Sequence, residues 1–288
     1  MKLTELISLF RPKQDCSVAL LWEDDRVSWM RYTAKLDNPV TGTGNWREML
    51  RAGKDNIKQV WVVAAGRRTY YGLAPVELQN LDSRIPFESG CYQLRTVAVP
   101  GVGSHPESKF FAVACNSLIS EITGSLAEFG LKLSSLEVPA TALARRSATL
   151  KICSKCLLQV HIGFRFTQFL VSFRGSPYVA REFAFGLDDL QNQYATHLQL
   201  GSGTAAKELE AHSVHSAGPV EPAVVKLLEQ ASRTVSLFSE RVDCVSVIGP
   251  GWLRGLEFRL AEHLGAHPLF GDAACRTSAP LLLEMTEQ

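Results

Sequence analysis

The sequence predicts an α/β chain in two lobes, and three observations predict it. Strand-like apolar runs alternate with amphipathic helical stretches twice over, once on each side of residues 148–152. At 288 residues the chain is long enough for two lobes that each bury a core. Apolar residues make up 46% and charged residues 20%, an ordinary globular balance. No run of about 18 or more apolar residues suggests a membrane helix. The net charge of +1 argues against a general attraction to nucleic acid or anionic lipid.

In the first lobe (1–150), the patch Leu3, Leu6, Ile7, Leu9 and Phe10 is interrupted by Glu5 and lacks the long apolar core of a signal peptide. SVALLW (17–22) and RVSWMRYTA (26–34) form a hairpin through the acidic turn Glu23-Asp24-Asp25. NPVTGTGN (38–45) reads as a loop from its Gly, Asn and Pro content. NWREMLRAG (45–53) reads as a short helix capped by Asn45. KQVWVVAAG (58–66) is a buried strand, and RTYYGLAPVEL alternates as another. A surface stretch, 82–109, holds a middle strand, YQLRTVAVP. KFFAVACN (109–116) is a strand of β-compatible residues. SLISEITGSLAEFG (117–130) is a helix: Leu118, Ile122, Leu126 and Phe129 fall at helical spacing, Ser117 caps it and Gly130 ends it. A short strand, LKLSSLEVP, and a short helix, ATALARRSA (140–148), follow.

The second lobe (151–288) opens with three meandering strands, CLLQVHI, TQFLVSFRG and PYVAREFAF, with a turn at Gly175. Helices follow at 187–200 and from GTAAKELEAHS, then a linker at 212–222 and a long helix at 222–240 with Pro222 in its first turn. The closing unit is a strand (244–249), a Gly-Pro-Gly turn, a helix (253–264) and a short strand near 267–270. The tail SAPLLLEMTEQ reads as partly frayed.

Several chemistry-bearing residues have plain explanations. Cys153 and Cys156 have metal-like spacing, but one pair without a second is weak, and seven scattered cysteines suit a reducing compartment. His263 and His267 lie four apart, but Gly265 and Pro268 end the helix there. His212 and His215 sit in a polar linker. No G-x-S-x-G elbow gives a hydrolase footing. Arg181 and Glu182 read as a surface ion pair, and the stripe at 118–129 as core.

The second half then becomes specific. His161-Ile162-Gly163 is followed by GSPYVAREFAFG (175–186), and later by GPGWLRGL (249–256). These stretches resemble the "DIGA…GxPxxxREIxxG" and "GGxxxxxGL" motifs of PilM-like type IV pilus assembly proteins. The resemblance implies an actin-like, ribonuclease-H-like ATPase fold, close to that of FtsA. It implies two lobes, 1–150 and 151–288, with a small subdomain inserted into the first at about 82–138.

In actin-like proteins ATP lies between the lobes, and backbone N–H groups at glycine-rich turns face its phosphates. The resemblance therefore places Gly163, Gly249 and Gly251 at a vestigial nucleotide cleft. This sequence departs from the pattern there. Leu21 stands where the first phosphate loop carries Asp, and Ser28 where it carries Lys. Glu23, Asp24 and Asp25 would repel a triphosphate. His161 replaces the second-loop Asp and is a poor Mg²⁺ ligand. Pro250 removes an N–H from the third turn. The Gly-Pro-Gly turn is accordingly read as structural. No catalytic residue, metal or cofactor is expected, ATP being the one cofactor left open.

What the resemblance implies about function is a scaffold. PilM-like proteins dock the cytosolic N-terminal tail of a PilN-like bitopic inner-membrane protein, in a groove between the first lobe and its inserted subdomain. That groove would lie within roughly 58–140. A PilO-like protein and the assembly ATPase are further candidate partners; nucleic acid is not. The expected location is cytoplasmic, at the bacterial inner membrane through the partner. Alternatives are an MshI-like protein, a GspL-like cytoplasmic domain of a type II secretion system, and an actin-like ATPase or kinase. GspL chains continue into a membrane helix, whereas this sequence is expected to end shortly after its last actin-like strand; a filament former like FtsA, a further alternative, ends in an amphipathic helix, for which the tail PLLLEMTEQ is short and offers little positive charge.

Overall fold

Two five-stranded sheets of the same topology carry the fold, with a three-stranded sheet inserted into the first. The computed structural model describes residues 16–33, 40–78, 80–102, 105–149, 156–211 and 218–269. The patch at 3–10, Cys153, His212, His215 and the tail 278–288 lie outside these residues.

In the first sheet β1 (Cys16–Glu23) and β2 (Arg26–Thr33) form an antiparallel hairpin, and β3 (Val40–Thr43) pairs with the outer edge of β2. On the other side β4 (Ile57–Ala65) and then β8 (Leu133–Glu137) add in parallel, giving the order β3-β2-β1-β4-β8. The second sheet repeats the plan with β9 (Cys156–Ile162), β10 (Thr167–Phe173), β11 (Ser176–Phe183), β12 (Cys244–Ile248) and β13 (His267–Pro268), ordered β11-β10-β9-β12-β13. Parallel neighbours need crossover connections. α1 (Trp46–Gly53) and α2 (Asn116–Ala127) serve the first sheet. α4 (Leu187–Leu198), α5 (Ser202–Ala211), α6 (Glu221–Val235) and α7 (Leu256–Leu264) serve the second. The central strands are buried on both faces, which is why β9 reads as an almost unbroken apolar run.

α2 buries the predicted stripe. Leu118, Ile122 and Leu126 pack with Val18, Leu20, Val60 and Val62 of the sheet in one cluster. The connecting helix α3 (Pro139–Thr149) packs instead on the second sheet. Its Ser147 hydroxyl donates to Gln159 Oε1 at 2.8 Å and accepts from Ser172 at 2.8 Å. Its Leu143 joins Leu158 and Phe169 in the larger cluster.

The structure corrects four expectations. The segment 38–45 is not all loop, because 40–43 pairs with β2 as β3. Gly42 permits this: a Cβ there would lie 2.5 Å from the Trp29 ring, which covers the edge strand and donates to Gly44 O at 3.0 Å. Asn45 precedes α1 with φ 44° and makes no side-chain cap bond. Ser117 lies inside α2, whose N-cap position is Cys115. The inserted sheet begins before residue 82 and ends before 138. It consists of β5 (Thr69–Pro75), β6 (Tyr92–Val99) and β7 (Ser108–Cys115), in the order β5-β7-β6. β5 belongs to it because it pairs along its length with β7. β8 and α2 do not, because β8 hydrogen-bonds to β4 and α2 packs on the first sheet.

Truncating α2 at its fully buried centre, Ile122→Ala, should cost about 2–5 kcal/mol in urea-induced unfolding, through lost transfer energy and an unfilled cavity.

Candidate functional site

The end of β1 and the turn after β9 meet across the two lobes. In the turn 163–166 the backbone N–H groups of Phe164, Arg165 and Phe166 converge on one point. Glu23 fills it. Its Oε2 accepts from Phe164 N at 2.9 Å, and its Oε1 from Arg165 N at 2.7 Å and Phe166 N at 3.0 Å. Successive N–H groups aimed at one point form an anion-binding concavity. Gly163 makes the approach possible, since a Cβ there would lie 2.7 Å from both Glu23 carboxylate oxygens. Glu23 is only 1% exposed. Burial pushes its carboxyl up from the ordinary value; the three backbone donors pull it down, Asp188 adds a further upward push, and the net displacement is upward.

Charged side chains rim this contact. Arg165 forks onto Asp25, at 2.8 Å and 3.0 Å. Arg26 reaches Asp188 at 2.8 Å, so each lobe supplies one acid and one base. Arg26 also lies over the Phe164 ring, 5.1 Å from its centroid. Arg165 and Asp25 are 42% and 65% exposed, and pairs so wet contribute little stability each. The acidic turn therefore does not leave its charges facing an empty turn at 163–166. Glu23 occupies the loop, Asp25 pairs with Arg165, and Asp24 packs its carboxylate where a Cβ on Gly66 would clash.

A second polar chain lies behind the first. His161 Nδ1 is 2.7 Å from Gln168 Oε1, and Gln168 Nε2 donates to Glu182 Oε2 at 3.2 Å. The amide oxygen can only accept, so Nδ1 of His161 carries a proton. Burial lowers the His161 pKa to about 4, against the pull of the Gln168 bond. Burial also raises the Glu182 carboxyl to about 7, with Glu23 and Asp24 pushing the same way and Gln168 and the Gly66 backbone opposing. Glu182 is thus not half of a surface ion pair with Arg181. It turns to Gln168, while Arg181 bonds Thr234 at 3.3 Å and Gln230 at 3.5 Å.

Gly163, Gly249 and Gly251 meet at the end of β9. Gly249 has φ 108°, and a Cβ on it would lie 2.4 Å from Ile162 O. Gly251 N donates to Ile162 O at 2.9 Å, and a Cβ there would lie 2.2 Å from Ile162 Cγ2. The Gly-Pro-Gly turn clamps this strand end. Leu21 is fully buried in the core. Cys156 is buried, and burial followed by nearby Asp243 pushes its thiol up to about 12, the opposite of a metal-binding thiolate. Among the described residues no group of three or more His, Cys, Asp or Glu could hold a metal ion.

A separate groove of about 540 Å³ lies between the inserted sheet and the first lobe. The antiparallel register sets Gln93 opposite Ala114 and Arg95 opposite Ala112, so small side chains on β7 leave the floor hollow. Ile119 of α2 and Leu133 and Leu136 of β8 form the apolar far wall. At one end Arg145 of α3 is paired with Glu137, whose carboxylate also accepts from Thr141 at 3.2 Å. Among the described residues the outer edge of β8 pairs with no strand. An apolar channel beside a free strand edge suits an extended segment that inserts alternate side chains. The sequence expectation put a groove within roughly 58–140 and named none of its lining; the lining of this groove runs on to Thr141 and Arg145. The sequence expectation also missed the positive role of Glu23, whose only signal was the acidic triplet.

Two outcomes follow from this geometry. Gly251→Ala should destabilise the protein by about 1–3 kcal/mol in chemical unfolding, equally with and without nucleotide, because the added Cβ overpacks Ile162. Glu182 has a folded pKa raised from 4.5 to about 7, so its contribution is fully present below about 4.5 and lost as pH rises through about 7. His161, lowered from 6.5 to about 4, gives the opposite slope over an overlapping window, so the comparison must be made against Glu182→Gln. The variant should gain thermal stability relative to the parent as pH rises through that window.

No family model matches the chain, and no curated protein matches it by sequence. Solved structures do match. A structure described as a PilM–PilN type IV pilus biogenesis complex superposes with TM-score 0.73 at 14% identity, covering 95% of this chain and 98% of that one. A Bacteroides thetaiotaomicron protein described as having an actin-like ATPase fold and unknown function gives 0.54 at 10% identity, over 95% and 96% of the two chains. The cytoplasmic domain of EpsL, an inner-membrane component of the Vibrio cholerae type II secretion system, gives 0.53 at 10% identity, over 95% of each. Two sheets of repeated order, the inserted subdomain and these superpositions establish one conclusion: the chain has the two-lobed, actin-like fold.

Proposed function

We propose that this protein is a cytoplasmic scaffold of a type IV pilus inner-membrane assembly complex. Its groove takes the cytosolic N-terminal tail of a PilN-like membrane protein. The observation that carries the reading is the hollow, apolar channel between β6–β7 and β8, beside a free strand edge, in a chain shaped like the PilM of a PilM–PilN complex. No helix among the described residues is long and apolar enough to cross a membrane, which agrees with attachment through a partner. The nucleotide cleft is degenerate in this proposal, and the protein hydrolyses no ATP. Supporting that are Leu21 and His161 at the acidic positions of the family's phosphate loops, and a carboxylate seated on the second loop. The likeness to the EpsL domain favours a second reading, a secretion-system scaffold using the same kind of groove.

The test is calorimetric titration with the N-terminal peptide of a PilN-like protein, with and without Mg-ATP. The proposal expects binding in both conditions. Ala112→Phe, which fills the floor, should weaken it at least about tenfold, or roughly 1.4 kcal/mol, while the fold stays intact by circular dichroism. Binding that survives Ala112→Phe would move the partner elsewhere. Binding seen only with Mg-ATP would overturn the degenerate cleft.

A further inference from the structure

The whole-chain charge of +1 hides a segregation. β1, β4 and β8 all begin at one end of the first sheet, where β2 finishes: Cys16 pairs with Thr33 and Ile57, and Val60 with Leu133. This end carries Arg51, Lys54, Lys58 and Lys132, all exposed, and the half-buried Arg31, whose guanidinium would lie 3.6 Å from a Cβ on Gly53. Asp55 and Glu128 stand among them, so cations outnumber acids. Arg51 and Lys54 share a hollow of about 350 Å³ with Glu128 and Phe129, and Arg51 lies over the Phe129 ring, 5.9 Å from its centroid. Among the described residues Arg51, Lys54 and Lys132 make no ion pair, so their charge faces outward unneutralised. The chain also enters β1 at this end. The sequence before Cys16 sets Leu3, Leu6, Ile7 and Phe10 at the spacing of one helical face, with Lys2, Arg11 and Lys13 against Glu5 and Asp15. Lys132 directly precedes Leu133 of the groove wall, so a segment leaving the groove there passes the same cations.

We propose that this end of the first lobe is a membrane-facing surface. It binds anionic lipid headgroups through Arg51, Lys54, Lys58 and Lys132, and the apolar side chains of segment 3–10 enter the bilayer interface beside them. Cations held near an anionic leaflet are attracted within a Debye length, and apolar side chains at the headgroup boundary add burial. Each signal alone gives weak, reversible binding; placed on one end of one lobe they act together. The contact is direct, and so is additional to any attachment through a partner. It needs no peptide in the groove, and it stands whichever partner the groove takes.

The experiment is flotation of the full chain, without peptide, on vesicles of phosphatidylcholine alone and of equal parts phosphatidylcholine and phosphatidylglycerol. The parent should float with the anionic vesicles, stay behind with the neutral ones, and be released as potassium chloride is raised. Arg51→Glu, Lys54→Glu and Lys132→Glu combined should weaken binding at least about tenfold while the unfolding midpoint in urea stays near the parent's. Leu6→Ser with Phe10→Ser keeps every charge and should also bind more weakly. The dependence on lipid charge and salt is read on the parent, so it tests the proposal even if the triple variant does not fold. A parent that ignores anionic vesicles, or floats equally with neutral ones, overturns the proposal. So does a folded charge variant, or the apolar variant, that floats as the parent does. Retention on duplex DNA without binding to vesicles would assign the surface to nucleic acid and overturn it as well.

Discussion

The burial of one carboxylate against three backbone N–H groups organises the centre of this molecule. Glu23 ends the central strand of the first sheet, and the turn it enters ends the central strand of the second. Two sheets of identical order thus meet at equivalent points, through a bond that needs no bound molecule. Leaving either side unsatisfied would be costly: a buried carboxylate without donors, or three buried donors without an acceptor. The exchange of Asp25 for Arg165 and Arg26 for Asp188 surrounds this bond but is too wet to replace it.

The same burial sets the electrostatics behind it. Glu182 is raised to about 7 partly by Glu23 and Asp24, and His161 is held neutral by burial and bonded to Gln168. Glu23 and His161 are buried and Glu182 is partly buried beside them. They stay there because hydrogen bonds from Gln168 and the backbone offset part of the desolvation. The Gly-Pro-Gly turn belongs to this centre: its glycines close on Ile162, whose next residue is Gly163.

The groove lies between the inserted sheet, α2 and β8, with Arg145 of α3 at one end. It exists because β7 carries alanines on the face that meets β8 and α2. Larger residues would have closed it, and the inserted sheet would then pack directly on the lobe.

Local patterns were enough to place most elements. The apolar run of β9, the stripe Leu118–Ile122–Leu126 and the turn at Gly175 each report burial or backbone geometry within a short window. β3 escaped because Gly, Asn and Pro mask an edge strand whose support is the Trp29 ring on its neighbour. The limits of the inserted sheet escaped because pairing of β5 with β7, and of β8 with β4, is decided by distant partners. Glu182 looked exposed because its neighbour Arg181 has the opposite charge, yet its real partner is on the adjacent strand. By itself the sequence determined the two-lobed α/β plan and most of its strands and helices, each from a short window of residues. Only the tertiary structure decided what the acidic turn does. Sequence records that Glu23 is charged, but its burial is made tolerable by three N–H groups brought to it from the other lobe.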